Sequence, residues 1–179
     1  LELQKNQEII KSTLDNLPIG IAINSVEPAV NFQYTNENFL NFYGTTHDAL
    51  REPEGFWKSV YQDEKFRKEM KERILSDMAT GKPDRMIWQE VPITRAGQET
   101  RYVTARNIPL RQENMVVSMV WDVTEARRAR ETLEDHVKLF EKSMMATVEV
   151  ATTISAMRDP YTAGHERRVA AIAEAIARE

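Results

Sequence analysis

Cysteine is absent from all 179 residues, which removes disulfide staples, thiolate metal sites, cysteine nucleophiles and cysteinyl-cofactor photochemistry together. A reducing setting suits such a chain, and a cytoplasmic location is expected. No apolar run approaches the roughly 20 residues that a bilayer crossing needs, so no membrane contact by this segment is expected. Charge of neither sign dominates. The 24 Lys and Arg stand against 28 Asp and Glu, a net charge of −4 without a basic patch, and nucleic-acid binding is not expected. The chain begins at Leu1 without a methionine or signal-peptide pattern and stops at Glu179 within a helical run. It reads as an excised segment of a longer protein.

What is present suits a soluble globular protein: 41% hydrophobic and 29% charged residues, with room for one ordinary domain and helical extensions. Leu3, Ile10, Leu14 and Leu17 share one helical stripe, which predicts an amphipathic helix at the start. Asn16, Pro18 and Gly20 break it. Strands are predicted at Ile19 to Asn24 and Asn31 to Thr35, then short helical pieces punctuated by Gly44, Pro53 and Gly55, then a longer helix from about Asp63 to Thr80. After Gly81 and Pro83 the period returns to two in three runs, Arg85 to Thr94, Thr100 to Leu110 and Met115 to Thr124. The links Arg95-Ala96-Gly97-Gln98, with a glycine to supply positive φ, and Arg111 to Asn114 make these a meander. From Glu125 to Met157 there is neither Gly nor Pro, which predicts one continuous helix. Asp159 then serves as a cap, with Pro160 first in a new helix running to Glu179.

Several local strings agree with one family. Asn36-Glu37-Asn38-Phe39-Leu40-Asn41-Phe42-Tyr43-Gly44 resembles the N-x-x-F-x-x-x-x-G element of PAS domains, and Arg95 to Gln98 followed by Arg101-Tyr102-Val103 resembles their hairpin. Trp121-Asp122-Val123-Thr124-Glu125 resembles their exit signature. The resemblance covers about Leu14 to Glu125 and implies an α+β PAS fold, a five-stranded antiparallel sheet with short helices on one face. It also implies signal coupling through Asp122 and Thr124, whose acid and hydroxyl tie the last strand to the outgoing helix. The same two residues read equally as a helix N-cap.

The fold implies a cavity, whose content the residues narrow. Haem of the oxygen-sensor type needs a histidine on the helix Asp63 to Thr80, which has none, and a flavin photoadduct needs the missing cysteine. His47 lies in a polar stretch, Thr45 to Asp48, that suits a helix cap at the surface. The aromatic residues Phe32, Tyr34, Phe39, Phe42, Phe56, Trp57, Trp88 and Trp121 fill a core or line a cavity for a small apolar or aromatic ligand. Both readings stay open, and the expected lining is Phe39, Phe42, Trp57 and Trp88.

A second resemblance begins after the long helix. Arg158-Asp159-Pro160-Tyr161-Thr162-Ala163-Gly164-His165, with Arg168-Val169-Ala170 beyond, resembles the opening of HD-GYP domains, which hydrolyse cyclic di-GMP. In that family the matching histidine binds metal, which implies that role for His165 in a complete domain holding divalent iron or manganese. Independently, His165, Val169, Ile172 and Ile176 fall on one helical face. Tyr161 stands where many members carry a glutamate, so the resemblance implies a two-metal rather than a three-metal parent site.

The expected organisation is an N-terminal helix at 1–13, a PAS sensor domain at 14–125, a signalling helix at 126–157 and the first helix of a truncated HD-GYP domain at 158–179. The segment senses and transmits without catalysing. Two alternatives belong to other classes. His165-Glu166-Arg167-Arg168 superficially resembles a histidine-kinase phosphoacceptor box, although Val169-Ala170-Ala171 then replaces its polar residue and proline. A ligand-free PAS dimerisation module is the other. Leu133, Val137, Phe140, Met144, Thr147, Ala151 and Ile154 alternate in steps of four and three, the seam of a left-handed coiled coil, so a homodimer through the PAS domain and the connecting helix is expected.

Overall fold

A computed structural model of the chain describes residues 2–25, 30–110, 115–158 and 160–178. The Arg111 to Asn114 turn and the Asp159 cap lie outside the described residues, as do the side chains of Leu3, Ala156, Arg158, Glu166, Arg167 and residues 160–163. Helix α1 spans Glu2–Asn16, and strands β1 (Gly20–Ser25) and β2 (Asn31–Thr35) follow it. Three short helices come next, α2 (Glu37–Tyr43), α3 (His47–Arg51) and α4 (Gly55–Val60), then the longer α5 (Glu64–Ala79). Strands β3 (Ile87–Ile93), β4 (Arg101–Leu110) and β5 (Met115–Asp122) precede α6 (Thr124–Arg158) and α7 (Pro160–Ala177). The chain divides into two units, Leu1–Arg127 and Arg128–Glu179. Among the described residues no helix is long and apolar enough to cross a membrane.

The helices start where a side chain can accept the first free amides. Asn36, Thr46 and Asp63 accept from the N–H groups of Phe39, Ala49 and Phe66 and so set the first turns of α2, α3 and α5. Gly44 ends α2 in the left-handed region at φ 57°, and Gly97 turns the β3–β4 hairpin at φ 74°, where a Cβ would be strained. One expected boundary is corrected. Arg85 belongs to a 3-10 turn, Pro83–Arg85, rather than to the strand, because its guanidinium reaches back 2.7 Å to Asp77 on α5.

The five strands form one sheet in the order β2-β1-β5-β4-β3, antiparallel throughout. The first two strands and the three after Gly81 thus join as their common period of two predicts. One face carries Ala22, Val103, Ala105 and Val120, which form one buried cluster with Phe39, Leu40, Trp57 and Met70 of the helices.

Asn36 joins the start of this unit. Its side chain is 1% exposed, and all of its hydrogen-bonding capacity is used. Oδ1 accepts from Ile21 N–H at 2.8 Å and Phe39 N–H at 3.0 Å, while Nδ2 donates to the carbonyls of Leu14 and Ile19, both at 2.9 Å. The end of α1, the start of β1 and the cap of α2 therefore converge on one amide. Asn36→Ala leaves these partners unpaired in a dry place and is expected to cost about 3 kcal/mol of stability in urea unfolding. Asn36→Asp keeps the acceptor but turns a second oxygen against two carbonyls, so it is expected to be at least as harmful. A loss below about 1 kcal/mol in both variants would refute this role.

Candidate functional site

Between the sheet and the helices lies a cavity of about 50 Å³. Its walls come from Phe39, Tyr43, Phe56 and Trp57 on α2 and α4, from Met70, Ile74, Leu75 and Met78 on α5, and from Trp88, Val91 and Ala105 on the sheet. The rings pack edge to face: Tyr43 lies 5.0 Å from Phe39 and 5.3 Å from Phe56 between centroids. The wall formed by α5 is adaptable, because methionine is unbranched and changes rotamer at small cost.

Polar groups gather at one part of this lining. Ser118 Oγ donates to Asn24 Oδ1 at 2.9 Å, and Asn107 Nδ2 reaches Met78 Sδ at 3.4 Å, a weak acceptor. The indole N–H of Trp88 is held outside the lumen by Asp77 Oδ2 at 3.0 Å. Ligand pockets usually measure about 300–1,000 Å³. The free space among the side chains as they stand is small beside that range, and the chain has no cysteine to form a flavin adduct. The space suits a few water-sized or very small apolar molecules, with room for more only if Met70 or Met78 moves.

Below the cavity the sheet hands the chain to α6. Asp122 Oδ1 accepts from Thr124 N–H at 3.0 Å, and its Oδ2 lies 3.2 Å from Arg101 Nε. Thr124 Oγ1 accepts from Tyr102 N–H at 2.9 Å, so both expected coupling residues grip β4. Three further residues, missed in the sequence, complete the junction. The Arg127 guanidinium sits 4.0 Å over the Tyr102 ring, and its Nη1 lies 3.1 Å from Glu90 Oε2. A basic residue one turn into a helix carries no signal by itself.

Of the expected lining, Phe39, Trp57 and Trp88 come together at the cavity. Phe42 does not: it packs against the edge of the core and borders a separate polar hollow with Gly44, Arg95 and Arg101. His47 is exposed at the start of α3, its Nδ1 3.3 Å from Thr35 Oγ1, and Thr46 does the capping. His165 is exposed on α7. Among the described residues no three His, Asp or Glu side chains gather into a metal-binding group.

Among solved structures the chain is similar to an RNA-binding Light-Oxygen-Voltage receptor, with a TM-score of 0.52 and 17% identity over 77% of this chain and 38% of that one. The sheet order, the helices between β2 and β3 on one face, and this superposition decide the architecture. The chain has the PAS fold. It spans less than half the length of that receptor. It is also similar to the PAS domain of Bordetella pertussis BvgS, at a TM-score of 0.46 and 22% identity over 75% of this chain and 98% of that one. A third likeness is the PAS domain of the fruit-fly ELK potassium channel, at 0.44 and 13% over 66% and 97%. No family model matches the chain, and no curated protein matches it.

Two tyrosines of this PAS core resist ionisation. Burial pushes Tyr43 well above the ordinary phenol value of 10.0, with the nearby Tyr61 adding to the shift, and burial raises Tyr61 likewise. In the unfolded chain both titrate near the ordinary value, so above about pH 10 the unfolded state loses protons that the folded state keeps. The stabilisation is complete below that pH and falls as pH rises through it. Alkaline titration is expected to release tyrosinate absorbance from Tyr43 and Tyr61 only together with loss of far-UV circular dichroism. Their titration near pH 10 in a folded protein would refute the assignment.

Proposed function

We propose that the chain is a sensory and signal-transmitting PAS module of a bacterial-type cyclic di-GMP phosphodiesterase, itself without catalysis. The observation that carries the sensory reading is that β4 and β5 serve both the cavity and the exit. Ala105, Asn107 and Ser118 line the cavity, while Tyr102 and Asp122 on the same strands hold the first turn of α6. A change at the cavity wall therefore has a short covalent and hydrogen-bonded path to the helix. A small apolar or aromatic molecule is the expected stimulus for that wall. The phosphodiesterase reading rests on the residues Arg158 to His165 and their likeness to HD-GYP openings.

A two-metal hydrolase polarises phosphate oxygens with ions about 3.5–4 Å apart held by ligands from several elements. His165 supplies one such ligand. Incubation of this chain with manganese or ferrous iron and cyclic di-GMP is expected to give no linear product above a His165→Ala control; turnover above it overturns the reading. In a longer protein that includes the rest of the domain, the same substitution is expected to abolish hydrolysis.

Helix α6 supports a parallel homodimer. Leu133, Val137, Phe140, Met144 and Ile154 on the heptad seam are between 48% and 64% exposed, an apolar stripe that a matching helix would bury. Light scattering is expected to give twice the chain mass. Phe140→Glu or Met144→Glu is expected to weaken association on the order of a hundredfold, because an unpaired carboxylate buried in the seam costs about 3 kcal/mol or more. A monomer mass for the unsubstituted chain at high micromolar concentration would refute the dimer.

A further inference from the structure

Strand β3 does not run evenly along β4. Trp88 pairs with Ala105 and Val91 with Val103, so three steps on β3 lie against two on β4. In a regular strand residues three apart face opposite sides of the sheet. The extra residue instead puts Trp88 and Val91 both against the cavity, 2% and 5% exposed. The bulge therefore builds part of the cavity wall. Glu90 absorbs it, in the left-handed region at φ 52°, which is unfavourable for a residue with a Cβ. Its N–H leans on Thr104 Oγ1 at 3.4 Å, a long contact. Its carboxylate meets Arg127 of α6 at 3.1 Å. One residue is thus both the strained apex of the cavity wall and a clamp on the first turns of the outgoing helix.

We propose that Glu90 couples the cavity to α6. The bulge has two arrangements, and a change in cavity filling that moves Trp88 relative to Val91 turns Glu90 out of its left-handed conformation and frees Arg127 from its carboxylate. Packed walls move between discrete arrangements rather than deforming smoothly, and a bulge is a place where a sheet can change twist locally. The Arg127 guanidinium then keeps the Tyr102 ring but loses its ion pair with Glu90, and the first turns of α6 open more often. This coupling rests on the sensory reading of the cavity and names the residue through which that reading would work.

The test uses the full chain with xenon under pressure as a cavity probe. Backbone amide shifts of Ala105 and Ser118 report entry, and hydrogen exchange at residues 124–130 reports the helix, with the slowest sheet amides as the reference for global stability. In the unsubstituted chain xenon is expected to shift both reporters and to change exchange at 124–130 by about fivefold or more. In Glu90→Gln, which keeps the side-chain size and loses the charge, the cavity shifts are expected to persist while the helix response disappears. Arg127→Gln is expected to behave alike. A helix response of undiminished size in both variants, or none in the unsubstituted chain despite cavity entry, overturns the coupling. Failure of xenon to enter counts against the cavity as a binding site, so a second arm leaves out the gas. Ile74→Ala widens the cavity from α5, and its effect on exchange at 124–130 is expected to vanish in the Glu90→Gln background. Simple additivity of the two substitutions overturns the proposal.

Discussion

A buried carboxamide makes demands that few other side chains meet, because it has two donors and a two-sided acceptor that must all be satisfied away from water. Asn36 meets them with backbone alone, binding Ile21, Phe39, Leu14 and Ile19. The direction in which α1 ends, the point where β1 enters the sheet and the start of α2 are then no longer independent. Since α2 carries Phe39 and Tyr43 into the cavity wall, the shape of the cavity depends on that one amide. The same logic recurs on the other side of the core, where Asp77 holds Trp88 and Arg85 and so ties α5 to β3.

These polar joints leave the cavity wall itself mostly apolar, with Asn24, Asn107 and Ser118 as its polar part. Rings supply its rigid part and methionines its compliant part, and Asn107 offers its side-chain amide to a thioether, a poor partner. The wall is therefore firm where it meets α2 and α4 and soft where it meets α5. A small occupant would be accommodated by α5 side chains.

Much of this was readable from residue order. Alternation gave each strand to within a few residues, the long helix was placed from about Asp63, and Gly97 marked its turn, whereas the capping by Asn36 and Asp63 shows only in the structure. The Asp122 and Thr124 contacts follow from chain proximity at a strand exit, which local patterns express well. What stayed hidden involves partners distant in sequence. Trp88 and Val91, three apart on a strand and both apolar, were the trace of a bulge, but a period-two reading passes over one misplaced residue. Arg127 and Glu90 are 37 residues apart, and nothing local pairs them. Phe42 sits between Phe39 and Tyr43 in a short aromatic run, and only the direction of the helix decides which rings face inward.

Arg95 has a role in the order of assembly. Its guanidinium lies against Gly44, where a Cβ would stand 2.7 Å from Cζ, and donates to the carbonyls of Tyr43 and Ser59, both at 3.0 Å. Helices α2, α3 and α4 have only 7, 5 and 6 residues, too short to persist alone in water. The ends of α2 and α4 are closed by a residue 52 positions beyond Tyr43 and 36 beyond Ser59, at the β3–β4 hairpin. Two helix ends made early in the chain thus share a hydrogen-bond donor that lies well beyond them, and they lack that partner until the segment carrying Arg95 is present.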